Sequence, residues 1–243
     1  MKRVHVAAIT SRGLVRDGNE DRVAVFGWLA PQEMSEPVVL ASRTAEPVLV
    51  VVADGLGGHQ AGEVASEFAV TALSAALPGL ADDPVGVFGR VHQDLLELGG
   101  SRPELTGTAT TATALLIADD LITTCHVGDS RAYYVEPGLV TQLTTDDVDQ
   151  VAGGTLTQVL GGLPGREVVA HVRQVDTAES LRFLLCTDGL HSYVDAAVVR
   201  ENAALGTVFD AAEALHQAAV EAGAPDNVSV CVVDVWLGGE GHD

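Results

Sequence analysis

The sequence predicts an α+β fold of antiparallel sheets with helices packed outside, and three observations lead there. Short runs rich in Val, Thr and Ile recur between Gly, Asp and Pro residues, the signature of strands. Helical periodicity falls in only a few places. The order is strands, two helices, a run of strands, then a helix and a last strand, which is not the strict alternation of a parallel α/β sheet.

The strand-like runs are "RVAVFGWL", "PVLVVVA", "TATTATALLIA", "LITTCHV", "RAYYVE", "REVVAHVRQV", "LRFLLCT" and "NVSVCVVDVW". After Gly62, apolar residues Val64, Ala65, Phe68, Ala69, Ala72, Leu73, Ala76 and Leu77 keep a three-to-four spacing, which predicts a helix ending at Pro78-Gly79. Weaker patterns predict helices over 84–98 and 208–222. Residues 29–47 read as an irregular excursion within a hairpin, and "GGTLTQVLGGLPG" reads as a Gly-rich loop. No Lys follows those glycines, so the loop is no P-loop. No repeat or low-complexity tract is present.

Composition narrows the class. The chain has 243 residues, enough for one large domain or two small ones, and 47% of them are apolar, enough for a real core. Its 34 acidic residues against 13 basic ones give a net charge of −21. That balance argues against nucleic acid and against anionic membrane surfaces as partners, and serves solubility. Cys125, Cys186 and Cys231 lie in or beside apolar runs without CxxC spacing, as expected of reduced core thiols in a cytoplasmic protein. The opening "MKRVHVAAITSRG" is too short in its apolar part for a signal peptide, and no run approaches the length of a membrane span.

The chemistry-bearing residues are acids at strand ends. "VLVVVADG" ends on Asp54-Gly55 and "LRFLLCTDG" on Asp188-Gly189, while Asp226 stands just before the strand of "PDNVSVCVV". In an antiparallel sheet the start of one strand lies beside the end of its neighbour, so these three acids can converge on one rim. Glu20 and Asp21 precede "RVAVF", and Asp129 occupies the turn of "HVGDSRAYY". Asp-Gly and Gly-Asp-Ser-Arg are ordinary turn sequences, so each acid alone has a plain structural explanation. Five acid-bearing turns together would repel one another unless cations lay among them. Carboxylates and a backbone carbonyl are hard oxygen donors suited to Mg²⁺ or Mn²⁺. The eight His residues show no zinc spacing; His92 and His216, alone on their helices, read as surface or core filling.

In this order, "GLVRDGNED", "VVADGLGGHQAGE", "GTATTATALL", "HVGDSRAY", "LTTD", "LTQVLGG", "LLCTDGL" and "DNVSV" resemble the motifs of the bacterial metal-dependent protein serine/threonine phosphatases of the protein phosphatase 2C type. The resemblance runs from about Ser11 to Val233. It implies a four-layer αββα sandwich, one domain over 1–243, and hydrolysis of phosphoserine and phosphothreonine in proteins, opposing a Ser/Thr kinase. It implies two Mn²⁺ or Mg²⁺ ions about 4 Å apart sharing a water, with room for a third. Carried over by residue, Asp54 bridges the two metals, Asp188 and Asp226 complete the first, and the Gly55 carbonyl holds the second. Glu20 acts through bound water, and Asp21 supports from the outer shell. Asp129 serves a third metal with Asp188, and Arg16 grips the substrate phosphate.

Three departures from the family pattern stand out. Leu56 replaces the His that follows the Asp-Gly pair in animal members, so the leaving-group acid is unassigned, with metal-bound water expected ahead of His59, which is expected only to brace the turn. Ala109 breaks the Gly-Thr-Thr pattern of its strand, a packing change. Only nine residues separate "LTTD" (143–146) from "LTQVLGG" (156–162), so the flap of bacterial relatives is shortened. Two other functions compete. A non-catalytic scaffold binding a regulatory partner or phosphopeptide should have lost a core acid, and none is lost. An N-terminal-nucleophile hydrolase needs a nucleophile at a processed chain start, whereas these threonines are internal.

Overall fold

The computed structural model describes residues 1–56, 60–118, 121–149, 151, 153–175 and 180–237. His59 therefore lies outside the described residues. In chain order the strands are β1 (Lys2–Ser11), β2 (Arg22–Val25), β3 (Trp28–Leu29), β4 (Val38–Thr44), β5 (Val48–Ala53) and β6 (Gly55–Leu56). Helices α1 (Gln60–Ala75), α2 (Leu77–Asp82) and α3 (Pro84–Ser101) follow. Next come β7 (Ala109–Thr110), β8 (Ala112–Ile117), β9 (Ile122–Val127), β10 (Arg131–Glu136), β11 (Leu139–Gln142), β12 (Val148–Asp149), β13 (Thr155–Leu156), β14 (Leu160–Gly161), β15 (His171–Val175) and β16 (Ser180–Cys186). Helices α4 (Asp188–His191), α5 (Ala196–Ala203) and α6 (Val208–Glu221) lead to β17 (Val228–Trp236).

Two six-stranded antiparallel sheets form the centre. One runs β11-β10-β16-β17-β1-β4, the other β15-β9-β8-β5-β2-β3. Helices α1 to α3 cover the outer face of the second sheet, and α5 and α6 pack on the first, giving the αββα order of layers. This explains why β5 shows no polar alternation. Val48, Val50 and Val52 point into the core between the sheets, while Leu49, Val51 and Ala53 point into the core under α1 and α3. Both faces of the strand are covered, so every position is apolar.

Two strands depart from the sequence expectation. Residues 2–11 form β1, the strand that joins β17 to β4 in its sheet. Residues 38–44, expected to be irregular, form the edge strand β4 against β1. Helix α1 also stops earlier than its periodicity predicts. The chain breaks at Ala76, and Pro78 enters the first turn of α2, where its missing N–H costs nothing. Helix α3 begins on an Asp83 side chain that accepts from Gly86 N–H at 2.9 Å, and α6 on a Thr207–Asp210 capping box. The "GGTLTQVLGG" stretch carries two short strands: β13 closes a small hairpin with β12, and β14 joins β7 and β6 in a three-stranded sheet.

Candidate active site

The register brings the predicted acids to one end of the sandwich. In the first sheet Cys186 lies opposite Val230, so Asp188, just after β16, and Asp226, just before β17, share an edge. In the second sheet Arg22 lies opposite Ala53, which places Asp21 beside Asp54. The two sheets present these edges to each other across the sandwich. Asp129, in the turn from β9 to β10, feels Asp188, and Asp54 feels Asp21, Asp188, Asp129 and Asp226.

Backbone anchoring holds this rim. Asp54 N–H donates to Thr111 Oγ1 at 2.9 Å, and its carbonyl accepts from Thr110 Oγ1 at 2.8 Å and Thr111 N–H at 2.9 Å. Gly55 N–H donates to Glu20 O at 3.2 Å. A Cβ on Gly55 would overlap Gly62 O and Glu20 O, and one on Gly189 would overlap Asn227 O. Both Asp-Gly pairs thus need glycine because a second backbone passes against them. Arg22 is buried; it donates to the carbonyls of Asn19 and Asp21 and pairs with Glu63 and Glu67 on α1, joining the acid loop to that helix. Asp129 is fixed through its own carbonyl, 3.0 Å from His191 Nε2.

Asn227 was not singled out by the sequence reading. Its side chain accepts from Glu20 N–H at 2.8 Å and donates to the carbonyls of Arg12 and Gly18 at 3.0 and 2.8 Å. It thereby moors the loop carrying Arg16 and Glu20 to the start of β17. Asn227→Ala removes all three bonds from a buried position and should cost about 2–4 kcal/mol; urea unfolding measures it, and an unchanged midpoint would contradict the role. Thr187 and Ser229 were likewise missed. Both hydroxyls donate to Asp21 Oδ2 at 2.7 Å.

The electrostatics are those of acids held too close. Burial, then the neighbouring Asp188 and Asp226 charges, raises Asp21 to about 7, against the pull of its two hydroxyl donors. Burial and the surrounding carboxylates push Asp54 well above its ordinary value. Asp188 is raised by burial and by Asp226, and Asp129 to about 6 by burial and by Asp188. A hydrogen-bonding interaction with Asp54 and the Arg16 charge pull Asp188 back the other way. Arg16 supplies the nearby cation, its Nη2 2.6 Å from Asp226 Oδ2.

Buried Asp21 Oδ1 has no hydrogen-bond partner. Such an orphaned acceptor among mutually repelling carboxylates and the Gly55 carbonyl is an all-oxygen, anionic donor set that fits hard divalent cations. Among the described residues, no three acid, imidazole or thiol side chains already enclose a single point. His92 and His216 stay out of the rim: His216 Nε2 lies 2.8 Å from Ser11 Oγ, and His92 is buried under the 161–166 loop.

Residues 38–224 match the family model described as protein phosphatase 2C. The serine/threonine protein phosphatase PstP of Mycobacterium tuberculosis is 33% identical over 252 aligned residues, covering 94% of this chain. The chain spans 44% of that relative's length. A serine/threonine phosphatase, stp, of Listeria innocua is 29% identical over 267 residues, covering 99% of both. Among solved structures, the catalytic domain of PstP in complex with two manganese ions superposes with a TM-score of 0.74 at 31% identity, covering 97% of this chain and all of that one. The Streptococcus agalactiae serine/threonine phosphatase gives 0.79 at 25% identity, again covering 97% of this chain and all of that one. With its αββα layers and acidic rim, the chain belongs to the protein phosphatase 2C family.

Proposed function

We propose that this chain is a protein-serine/threonine phosphatase that removes phosphate from phosphoserine and phosphothreonine in proteins, reversing a Ser/Thr kinase, with two divalent cations held at the acidic rim. The observation that carries the reading is the group of Asp21, Asp54, Asp129, Asp188 and Asp226, brought together from both sheets, with burial and neighbouring carboxylates raising Asp21, Asp54, Asp129 and Asp188. A manganese-bound relative and serine/threonine phosphatases among the similar proteins support it.

Asp54 would bridge the pair of cations, with Asp188 and Asp226 on one and the Gly55 carbonyl on the other. Glu20 would act through water, and Asp129 with Asp188 would take a third. Bound there, Mn²⁺ or Mg²⁺ would supply Lewis acidity, lowering the pKa of a water and neutralising charge on the phosphoryl oxygens. The chain does the positioning. Thr110 and Thr111 fix the Asp54 backbone, Asn227 fixes the Glu20 loop, and Thr187 and Ser229 orient Asp21. Arg16, with a side chain 56% exposed at the mouth, presents a guanidinium to an incoming phosphate dianion, whose approach the net charge of −21 otherwise opposes.

The free, buried Cys125, Cys186 and Cys231 support a reducing, cytoplasmic setting. Among the described residues no helix is long and apolar enough to cross a membrane. The segment after "LTTD" is the small β12–β13 hairpin. The Listeria alignment spans 267 positions against 243 residues here, so at least two dozen positions of that relative have no counterpart.

The test is hydrolysis of a small aryl phosphate with and without Mn²⁺, beside phosphoserine, phosphothreonine and phosphotyrosine peptides. Mn²⁺-dependent release from the first two peptide classes is expected; metal-independent release, or none, would contradict the reading. Arg16→Ala refines it. An arginine gripping phosphate acts in ground and transition states alike, so KM should rise more than kcat falls. A charge-assisted contact is worth about 1.5–3 kcal/mol, so kcat/KM should drop roughly ten- to a hundredfold on aryl phosphate and peptide alike. A pure kcat effect would place Arg16 elsewhere in the chemistry.

A further inference from the structure

A cleft of about 120 Å³ opens beside the rim, between β13 and the chain leading to β15. Leu156, Val159, Leu163 and Val168 give it apolar walls, while Thr157, Gln158, Arg166 and Glu167, with two glycines, line the rest. Nothing in the proposed chemistry uses it. A volume of this size suits one branched aliphatic side chain, since apolar cavities only slightly larger take up benzene.

Its place relative to the rim is set by the small sheet β14-β7-β6. Gly55 pairs with Thr110, and Thr110 with Leu160, so one row of residues runs from the proposed metal-holding carbonyl to the cleft's edge. Two inter-strand steps cover about 10 Å. An extended peptide advances about 3.3 Å per residue, so a chain whose phosphoresidue lies at the rim reaches the cleft about three residues away.

The cleft is held in shape from beneath. His92 on α3, 1% exposed, accepts from Gly161 N–H at Nδ1 (3.0 Å), which leaves Nε2 to donate to Arg166 O (3.2 Å). One buried ring thus pins both ends of the 161–166 turn. Gly161, at φ +77°, has no room for a side chain against Thr108 O, and Gly162 N–H donates to the same carbonyl at 2.8 Å. Leu163 stands out from this braced turn with 65% of its surface exposed. An apolar side chain projecting from a fixed turn is preorganised to receive a partner rather than spent on the core.

We propose that this cleft is a specificity subsite that takes an apolar side chain about three residues from the phosphoserine or phosphothreonine of a protein substrate. The inference rests on the phosphatase reading above. The apolar walls favour Leu, Ile, Val or Met at that position. Arg166 and Glu167 offset each other at the lining, so desolvation by the apolar walls is what disfavours Asp or Glu there.

The experiment uses the whole chain with Mn²⁺, an aryl phosphate, and phosphothreonine peptides carrying Leu, Ala or Asp three residues before or three residues after the phosphoresidue. Leu is expected to exceed Asp in kcat/KM by about tenfold at one of the two positions, with Ala between them. Leu163→Asp, a change at an exposed site that folding should tolerate, is expected to bring the Leu-to-Asp ratio at that position to one or below. Aryl phosphate hydrolysed but a flat peptide profile at both positions would overturn the subsite alone. So would a Leu preference that survives Leu163→Asp unchanged. No Mn²⁺-dependent hydrolysis of the aryl phosphate would overturn the phosphatase reading, and the subsite with it.

Discussion

Asp54→Asn is expected to cut Mn²⁺-dependent turnover by about a thousandfold or more while leaving the fold intact. Electrostatic groups that act on the charge of the transition state are worth two to three orders of magnitude each, and Asp54 is assigned to both cations. The fold should survive because the residue is held by its backbone: Thr110 and Thr111 bond its N–H and C=O whatever the side chain carries. Asparagine matches aspartate in size and removes one charge from a group of acids that repel one another, so the metal-free protein should melt no lower than the parent. Steady-state kinetics in Mn²⁺ and a circular-dichroism melt in EDTA check both halves. Undiminished turnover in a folded Asp54→Asn protein would falsify the bridging assignment.

The second large effect is a reversal of the usual pH dependence of stability in the metal-free protein. Folding raises Asp21 to about 7 and Asp129 to about 6 from an ordinary value near 3.8, burial being the first cause in each. The folded state therefore binds these protons more tightly than the unfolded one. Stability from them is complete below about pH 4 and is lost as pH rises through about 6 and 7. At about 1.4 kcal/mol per unit, Asp21 alone represents about 4 kcal/mol, which for a chain of this length is roughly 10 °C in Tm. In EDTA the Tm should fall between pH 5.5 and 8. Saturating Mn²⁺, which binds only the folded state with its carboxylates ionised, should restore it, and by more at pH 8 than at pH 5.5. A Tm in EDTA that is flat or rises over this window would show that the rim acids are not in conflict.

Much of the site could be read from the sequence, because acids at strand ends follow from hydrophobic runs that stop abruptly. The run of β5 is continuous because both faces of that strand are covered, and it stops at Asp54; the largely apolar runs of β16 and β17 likewise end and begin two residues from Asp188 and Asp226. The two missed strands fail that test for different reasons. In β1, Lys2, Arg3 and His5 interrupt the pattern, yet Lys2 is buried with Nζ 3.3 Å from Ala45 O, and Arg3 lies over the Trp236 ring at 4.4 Å. Charged ends with apolar stems pass for polar residues in a sequence but pack like apolar ones. Strand β4 is an exposed edge and has no buried face to leave a pattern.

The Asp-Gly pairs carried a misleading signal. They read as turns, whereas the glycines at 55 and 189 answer to backbones crossing from Gly62 and Asn227, which only tertiary structure shows. Asn227, Thr187 and Ser229 were hidden for the same reason: their partners Glu20 and Asp21 lie more than a hundred and sixty residues away in the chain. His92 read as filling because its role, bracing the 161–166 turn, depends on a loop approaching from across the helix.

The central claim is that the carboxylates of the rim hold a pair of divalent cations. Anomalous scattering from crystals grown with Mn²⁺ tests it most directly. Two peaks about 4 Å apart are predicted, both in contact with the Asp54 carboxylate, one also reaching Asp188 and Asp226 and the other the Gly55 carbonyl. A rim without manganese at saturating Mn²⁺, or manganese bound only away from Asp54, would contradict it.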